Sequence, residues 1–111
     1  MSGFTSGHVL ARVAELADPC AVIVYVDEHT ALIVTRRGDS FAAFRNKCPH
    51  AGYPLQRADG RVIVQEGRYL VCAAHGASFN LIDGACAGGP CNGDALESVA
   101  IVVRDGAILV A

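Results

Sequence analysis

The sequence predicts an all-β domain of short antiparallel strands. Two observations carry this: runs of β-branched and apolar residues four to six long, and turn-forming pairs set between them at hairpin-like intervals. A third agrees with them. With no Trp, three Tyr and four Phe, the core has to be assembled from Val, Ile, Leu and Ala, which suits a pleated surface.

The elements follow in chain order. The only helix candidate is the segment from Val9 to Leu16, and because Val9, Val13 and Leu16 also suit an opening strand, it reads as a strand. Ala21 to Val26 and Ala31 to Val34 are two strand-forming runs joined by the polar turn Asp27-Glu28-His29-Thr30. Arg37-Gly38-Asp39, Asp59-Gly60, Glu66-Gly67, Asp83-Gly84 and Asp105-Gly106 place the later turns. Ala85 to Gly93, rich in Gly and Cys, reads as irregular. No repeat or linker divides the chain, so residues 1–111 are expected to form one domain.

Composition removes several functions. A formal net charge of -2 over 111 residues gives no basic field for nucleic acid. The longest apolar stretches are too short to cross a bilayer, and the N-terminus lacks a basic segment followed by an apolar run, which points to the cytoplasm. No phosphate-cradling Gly loop, Ser/His/Asp arrangement or paired carboxylates appear, so the protein is not expected to act as an enzyme on its own substrate. Five cysteines are many for such a chain, and their odd number favours metal or redox chemistry over a disulfide framework.

Two stretches interrupt the strand pattern. Residues 46–55 read Asn-Lys-Cys-Pro-His-Ala-Gly-Tyr-Pro-Leu, and residues 71–79 read Val-Cys-Ala-Ala-His-Gly-Ala-Ser-Phe. Pro49, Gly52 and Pro54 forbid a helix or a central strand in the first. Each stretch holds one Cys and one His, so Cys48, His50, Cys72 and His75 are four candidate metal ligands from two loops. The alternative is two ordinary buried thiols and two surface histidines. Two Cys and two His also satisfy tetrahedral zinc, but one intervening residue between Cys48 and His50 is tight for closing both side chains on one ion. A binuclear cluster relieves that constraint, with the cysteines on one iron and the histidines on the other.

Cys-Pro-His-Ala-Gly-Tyr-Pro-Leu at 48–55 with Cys-Ala-Ala-His-Gly-Ala-Ser-Phe at 72–79 resembles the Rieske cluster-binding signature. Gly89-Pro90 is similar to the proline loop that covers the cluster in that family, and the likeness extends from about Val22 to the C-terminus. The resemblance is to free-standing Rieske ferredoxins of multicomponent oxygenases and to the small subunit of assimilatory nitrite reductase. It implies a Rieske-like antiparallel β-sandwich, with a small cluster-binding subdomain at about 46–80 holding one 2Fe-2S cluster on Cys48, His50, Cys72 and His75. It also implies an electron carrier between a reductase and an oxygenase or similar terminal enzyme. Partners would dock near His50 and His75, within a collar of Pro49, Tyr53, Pro54, Leu55 and Pro90. Leu55 and Tyr53 equally suit a core beneath the loop.

Departures from the family pattern carry expectations of their own. The longer segment between His50 and Cys72 implies an extended hairpin around Asp59-Gly60. Tyr53 and Ala74 stand where respiratory Rieske proteins have a cysteine pair, and Ala77 and Phe79 stand where they have a Ser and a Tyr whose hydroxyls donate to the cluster region. Loss of those donors implies a low reduction potential, toward roughly -150 mV. Among the remaining cysteines, Cys20 reads as a small buried residue and Cys86 and Cys91 as free thiols. His8 and His29 read as solvated surface residues.

Overall fold

In the computed structural model, residues 6–28, 30–49, 54–74, 76–89, 91 and 93–111 are described. Their strands are β1 (Val9–Arg12), β2 (Cys20–Tyr25), β3 (Ala31–Arg37), β4 (Ser40–Arg45), β5 (Ile63–Gln65), β6 (Tyr69–Val71), β7 (Ser78–Asn80), β8 (Cys86–Gly88), β9 (Ile101–Arg104) and β10 (Ala107–Val110). All pair antiparallel, in three sheets ordered β1-β10-β9, β2-β3-β4 and β5-β6-β7-β8. The all-β antiparallel class expected from the turn spacing is therefore observed. Among the described residues, no helix is long and apolar enough to cross a membrane.

The β2-β3-β4 sheet is the middle layer, and β3 shows why. Strand side chains alternate between faces, so Leu32 and Val34 enter one core while Ile33 enters the other. The first core joins them to Leu10, Ile108 and Val110 of the β1-β10-β9 sheet. The second joins Ile33, Ala42 and Phe44 to Leu70 and Phe79 of the β5–β8 sheet. A strand covered on both sides has no polar face, hence the unbroken Leu-Ile-Val run. Thr35 is the buried polar exception; its hydroxyl donates to the Leu81 carbonyl at 2.6 Å, tying the middle sheet to the turn after β7.

Turn chemistry sets the hairpins. Glu66 and Gly67 lie between β5 and β6 with φ of 56° and 65°, and Asp105 and Gly106 lie between β9 and β10 with φ of 52° and 75°. Two consecutive left-handed residues make the tight turn whose twist matches paired strands, at some steric cost for the non-glycine member.

Three expectations are corrected here. Val9 to Leu16 is only half strand: Val13–Glu15 form a 3-10 turn, where Glu15 accepts from the Arg12 amide. The segment after the first loop carries no strand hairpin around Asp59-Gly60. Residues 57–61 close on themselves through Arg57 N–H to the Arg61 carbonyl at 2.7 Å, and the strand hairpin turns later, at Glu66-Gly67. Ala85 to Gly93 is not wholly irregular, because β8 adds to the edge of β7. Backbone pairing there outweighs the weak strand propensity of Ala and Gly.

Candidate metal centre

The first loop is held by one side chain. Where β4 ends, the Asn46 amide donates to the Ala31 carbonyl at 3.1 Å. Asn46 Oδ1 then accepts from the Leu55 amide at 2.8 Å, and Nδ2 donates to Gln56 Oε1 at 2.6 Å. Asn46 thus holds the two ends of the first stretch together, its far end anchored by fully buried Leu55. Its role went unread in the sequence; the available signal was an Asn at a strand end opening a proline-rich loop, a common local hydrogen-bonding position.

The second loop is the connection between β6 and β7, whose Val71 and Ser78 are register partners. The Cys72 amide donates to the Ala77 carbonyl and the Gly76 amide to the Cys72 carbonyl, both at 2.8 Å. The two loops touch directly, the Ala73 amide donating to the Leu55 carbonyl at 3.1 Å. Cys48 and Cys72 are both fully buried, in one apolar cluster with Leu55, Ala77, Phe79 and Cys91.

A third segment packs on the second loop. A Cβ added to Gly89 would lie 2.9 Å from both the Ala77 Cα and the Gly76 carbonyl oxygen. Only glycine permits that approach, and its φ of 82° suits it as well. Cys86 and Cys91 at the ends of this segment form a disulfide with Cα atoms 5.7 Å apart. This corrects the expectation of two free thiols. The left-handed Gly89 lets the chain double back, a tertiary arrangement that composition and compartment arguments do not register.

The expected site residues divide as follows. Cys48 and Cys72 are brought to adjacent loops, while His50, His75, Tyr53 and Pro90 lie outside the described residues. Among the described residues, no three His, Cys, Asp or Glu side chains form a metal-binding group. Leu55 is core, and Pro49 and Pro54 are exposed. His8 is half-buried rather than solvated, and His29 lies outside the described residues. Cys20 is likewise half-buried, and burial pushes its thiol up from the ordinary value.

Chemically, the residues present fit a cluster. Two fully buried sulfurs on hydrogen-bonded loops are soft donors shielded from water, the kind that suits iron–sulfur clusters. Residues 48–55, 72–79 and 86–93 contain no Asp, Glu, Lys or Arg. Charge begins at the rim. A shallow cleft of about 250 Å³ beside Cys48 is lined by Arg45, Lys47, Pro49, Ala95 and Glu97, and Arg45 and Glu97 form an ion pair. A larger cleft of about 510 Å³ lies on the β1-β10-β9 sheet beside Arg12, Val102 and Arg104, touching neither ligand loop.

The family model of the Rieske [2Fe-2S] domain matches residues 6–104. Among solved structures, the chain is similar to the ferredoxin of carbazole 1,9a-dioxygenase from Nocardioides aromaticivorans IC177, with 25% identity, TM-score 0.77 and coverage of 96% of this chain and 98% of that one. It is similar to a Sphingomonas yanoikuyae B1 ferredoxin at 28% identity and TM-score 0.74, over 94% of this chain and 96% of that one. A nitrite reductase small subunit shares the fold at 18% identity and TM-score 0.66, covering 96% and 99% of the two chains. No curated protein matches the sequence.

Proposed function

Since the chain belongs to the Rieske [2Fe-2S] domain family, we propose that it is a low-potential electron carrier that binds its cluster through Cys48, His50, Cys72 and His75. The reading rests on one observation: the signature cysteines Cys48 and Cys72 are both fully buried in one apolar cluster, on two loops joined by the Ala73–Leu55 hydrogen bond. When bound, the cluster supplies a one-electron couple, raised in potential by imidazole ligation.

This chain's own residues supply the rest. Asn46 and the Cys72–Ala77 turn orient the two loops. Leu55, Phe79 and Ala77 exclude water from the sulfur side. Partners would dock at His50 and His75, and the described residues flanking them in sequence, Pro49, Pro54, Ala73 and Ala74, are all exposed. The acceptor is a terminal oxygenase and the donor a reductase. Support comes from similarity, at 25% identity and TM-score 0.76, to a chain from a complex of reduced oxygenase and oxidised ferredoxin in carbazole 1,9a-dioxygenase. We place the protein in the cytoplasm, as one domain whose residues 46–80 carry the ligand loops.

The test is direct. Purified protein should contain two irons and two acid-labile sulfides and give the paramagnetic resonance of a mixed His/Cys cluster on reduction. His50→Ala and His75→Ala should each abolish it. A colourless protein holding one zinc, or a normal Rieske spectrum in either variant, would overturn the assignment. Tight co-purification with a large reductase would replace the diffusible carrier by a subunit role.

A further inference from the structure

We propose that Cys86 and Cys91 form a thiol-exchangeable pair, a second redox site that takes two electrons from a dithiol reductant and sits in the segment packed on the second ligand loop. The exchange itself does not depend on the cluster; its consequence for the ligand loop rests on the reading above.

Three features of the pair support exchange over a purely structural role. The bridge spans only five positions, and so short a ring constrains the unfolded chain little, which is the main source of structural disulfide stability. The ends of the segment are held without it. Cys86 N–H donates to the Asp94 carbonyl at 3.1 Å, Asp94 N–H to the Cys91 carbonyl at 2.8 Å, and Ala85 pairs with Ala95. Opening the bond therefore leaves the sulfurs near each other, ready to close again.

The two sulfurs also differ in access. Cys91 is fully buried, whereas Cys86 is partly exposed, so an incoming thiolate reaches Cys86. Attack there forms a mixed disulfide and breaks the bond to Cys91, whose sulfur takes up a proton. The reductant's second sulfur then attacks its own partner in the mixed disulfide, leaves as a cyclic disulfide and releases Cys86 as the second thiol. The protein pair gains two electrons and two protons, and the dithiol loses the same. Acceptors for the new thiol hydrogens are in place: the Cys91 sulfur lies 3.2 Å from the Gly88 carbonyl oxygen and 3.6 Å from that of Ser78, and the Cys86 sulfur 3.7 Å from that of Gly88.

The consequence lies at Gly89. Because its Cα sits against Gly76 and Ala77, the closed ring holds residues 87–89 on the second loop, and the open pair relaxes that hold. In the family this segment covers the cluster, so thiol status would modulate access to it.

To test this, the holoprotein is equilibrated with reduced and oxidised dithiothreitol at graded ratios without denaturant, acid-quenched and alkylated, and labels at Cys86 and Cys91 are read by peptide mass spectrometry. Iron and sulfide are assayed on the same samples. Both cysteines should gain label together as the ratio rises, and amide exchange over residues 86–94 should quicken several-fold. Cys91→Ser should leave Cys86 labelled at every ratio. A pair blocked at all ratios unless the protein is denatured, or one labelled even in oxidised reagent, overturns the proposal. Exchange in a protein lacking iron and sulfide would uphold the thiol site while refuting the cluster reading.

Discussion

Asn46 carries the first loop on a side chain that makes two hydrogen bonds, to the Leu55 amide and to Gln56. At about 1 kcal/mol for a net hydrogen bond, Asn46→Ala should release the cluster about fivefold faster or more, measured as bleaching of its visible absorbance in chelator. Ala77 and Phe79, both fully buried beside the cysteines, bear on potential. Ala77→Ser with Phe79→Tyr restores two hydroxyl donors, which stabilise the more negative reduced cluster and raise the midpoint by roughly 40 mV per kcal/mol of differential stabilisation; a redox titration decides. Cys20 is simpler. Since burial disfavours its thiolate, it should alkylate more slowly at pH 8 than a small free thiol, an order that unfolding abolishes.

At the scale of elements, the left-handed turns and the inter-sheet tie are the points of leverage. Gly106 has φ of 75°, and an L side chain there costs about 1–2 kcal/mol. Gly106→Ala should lower Tm by about 4 °C or more, read by circular dichroism. Thr35→Val keeps the shape but leaves the buried Leu81 carbonyl without the hydroxyl that donates to it, a loss of about 1–3 kcal/mol. The elements also mark where the sequence was readable. The β3–β4 and β9–β10 turns were legible because Gly38 and Asp105-Gly106 state their own backbone geometry. The 3-10 turn at Val13–Glu15 was not, because the positions Val9, Val13 and Leu16 fit a strand as well as a helical turn.

Over the whole molecule, two cores divide the labour. One, between the β1-β10-β9 sheet and the middle sheet, contains no candidate ligand; the other contains both Cys48 and Cys72. Removing the cluster should therefore speed amide exchange at Cys72, Ala73 and Gly76 while leaving Val99 and Val110 protected. The uncharged tip has a further effect. With no Asp, Glu, Lys or Arg in residues 48–55, 72–79 and 86–93, docking at the proposed site would rest on small apolar contacts, and the association rate with the proposed oxygenase partner should vary by less than about threefold where a steered encounter varies tenfold or more with salt.

The sequence by itself determined the all-β class, most of the turns and the two Cys/His loops, because each depends on what a residue's own backbone and side chain permit. Only the tertiary structure decided three other matters. It joined the Cys72 loop to the far end of the Cys48 loop through the Ala73–Leu55 hydrogen bond, closed Cys86 on Cys91, and set Gly89 against Ala77. These are contacts between segments whose separation in space follows from sheet pairing, and a pairing partner leaves no mark on the local pattern of the strand it joins.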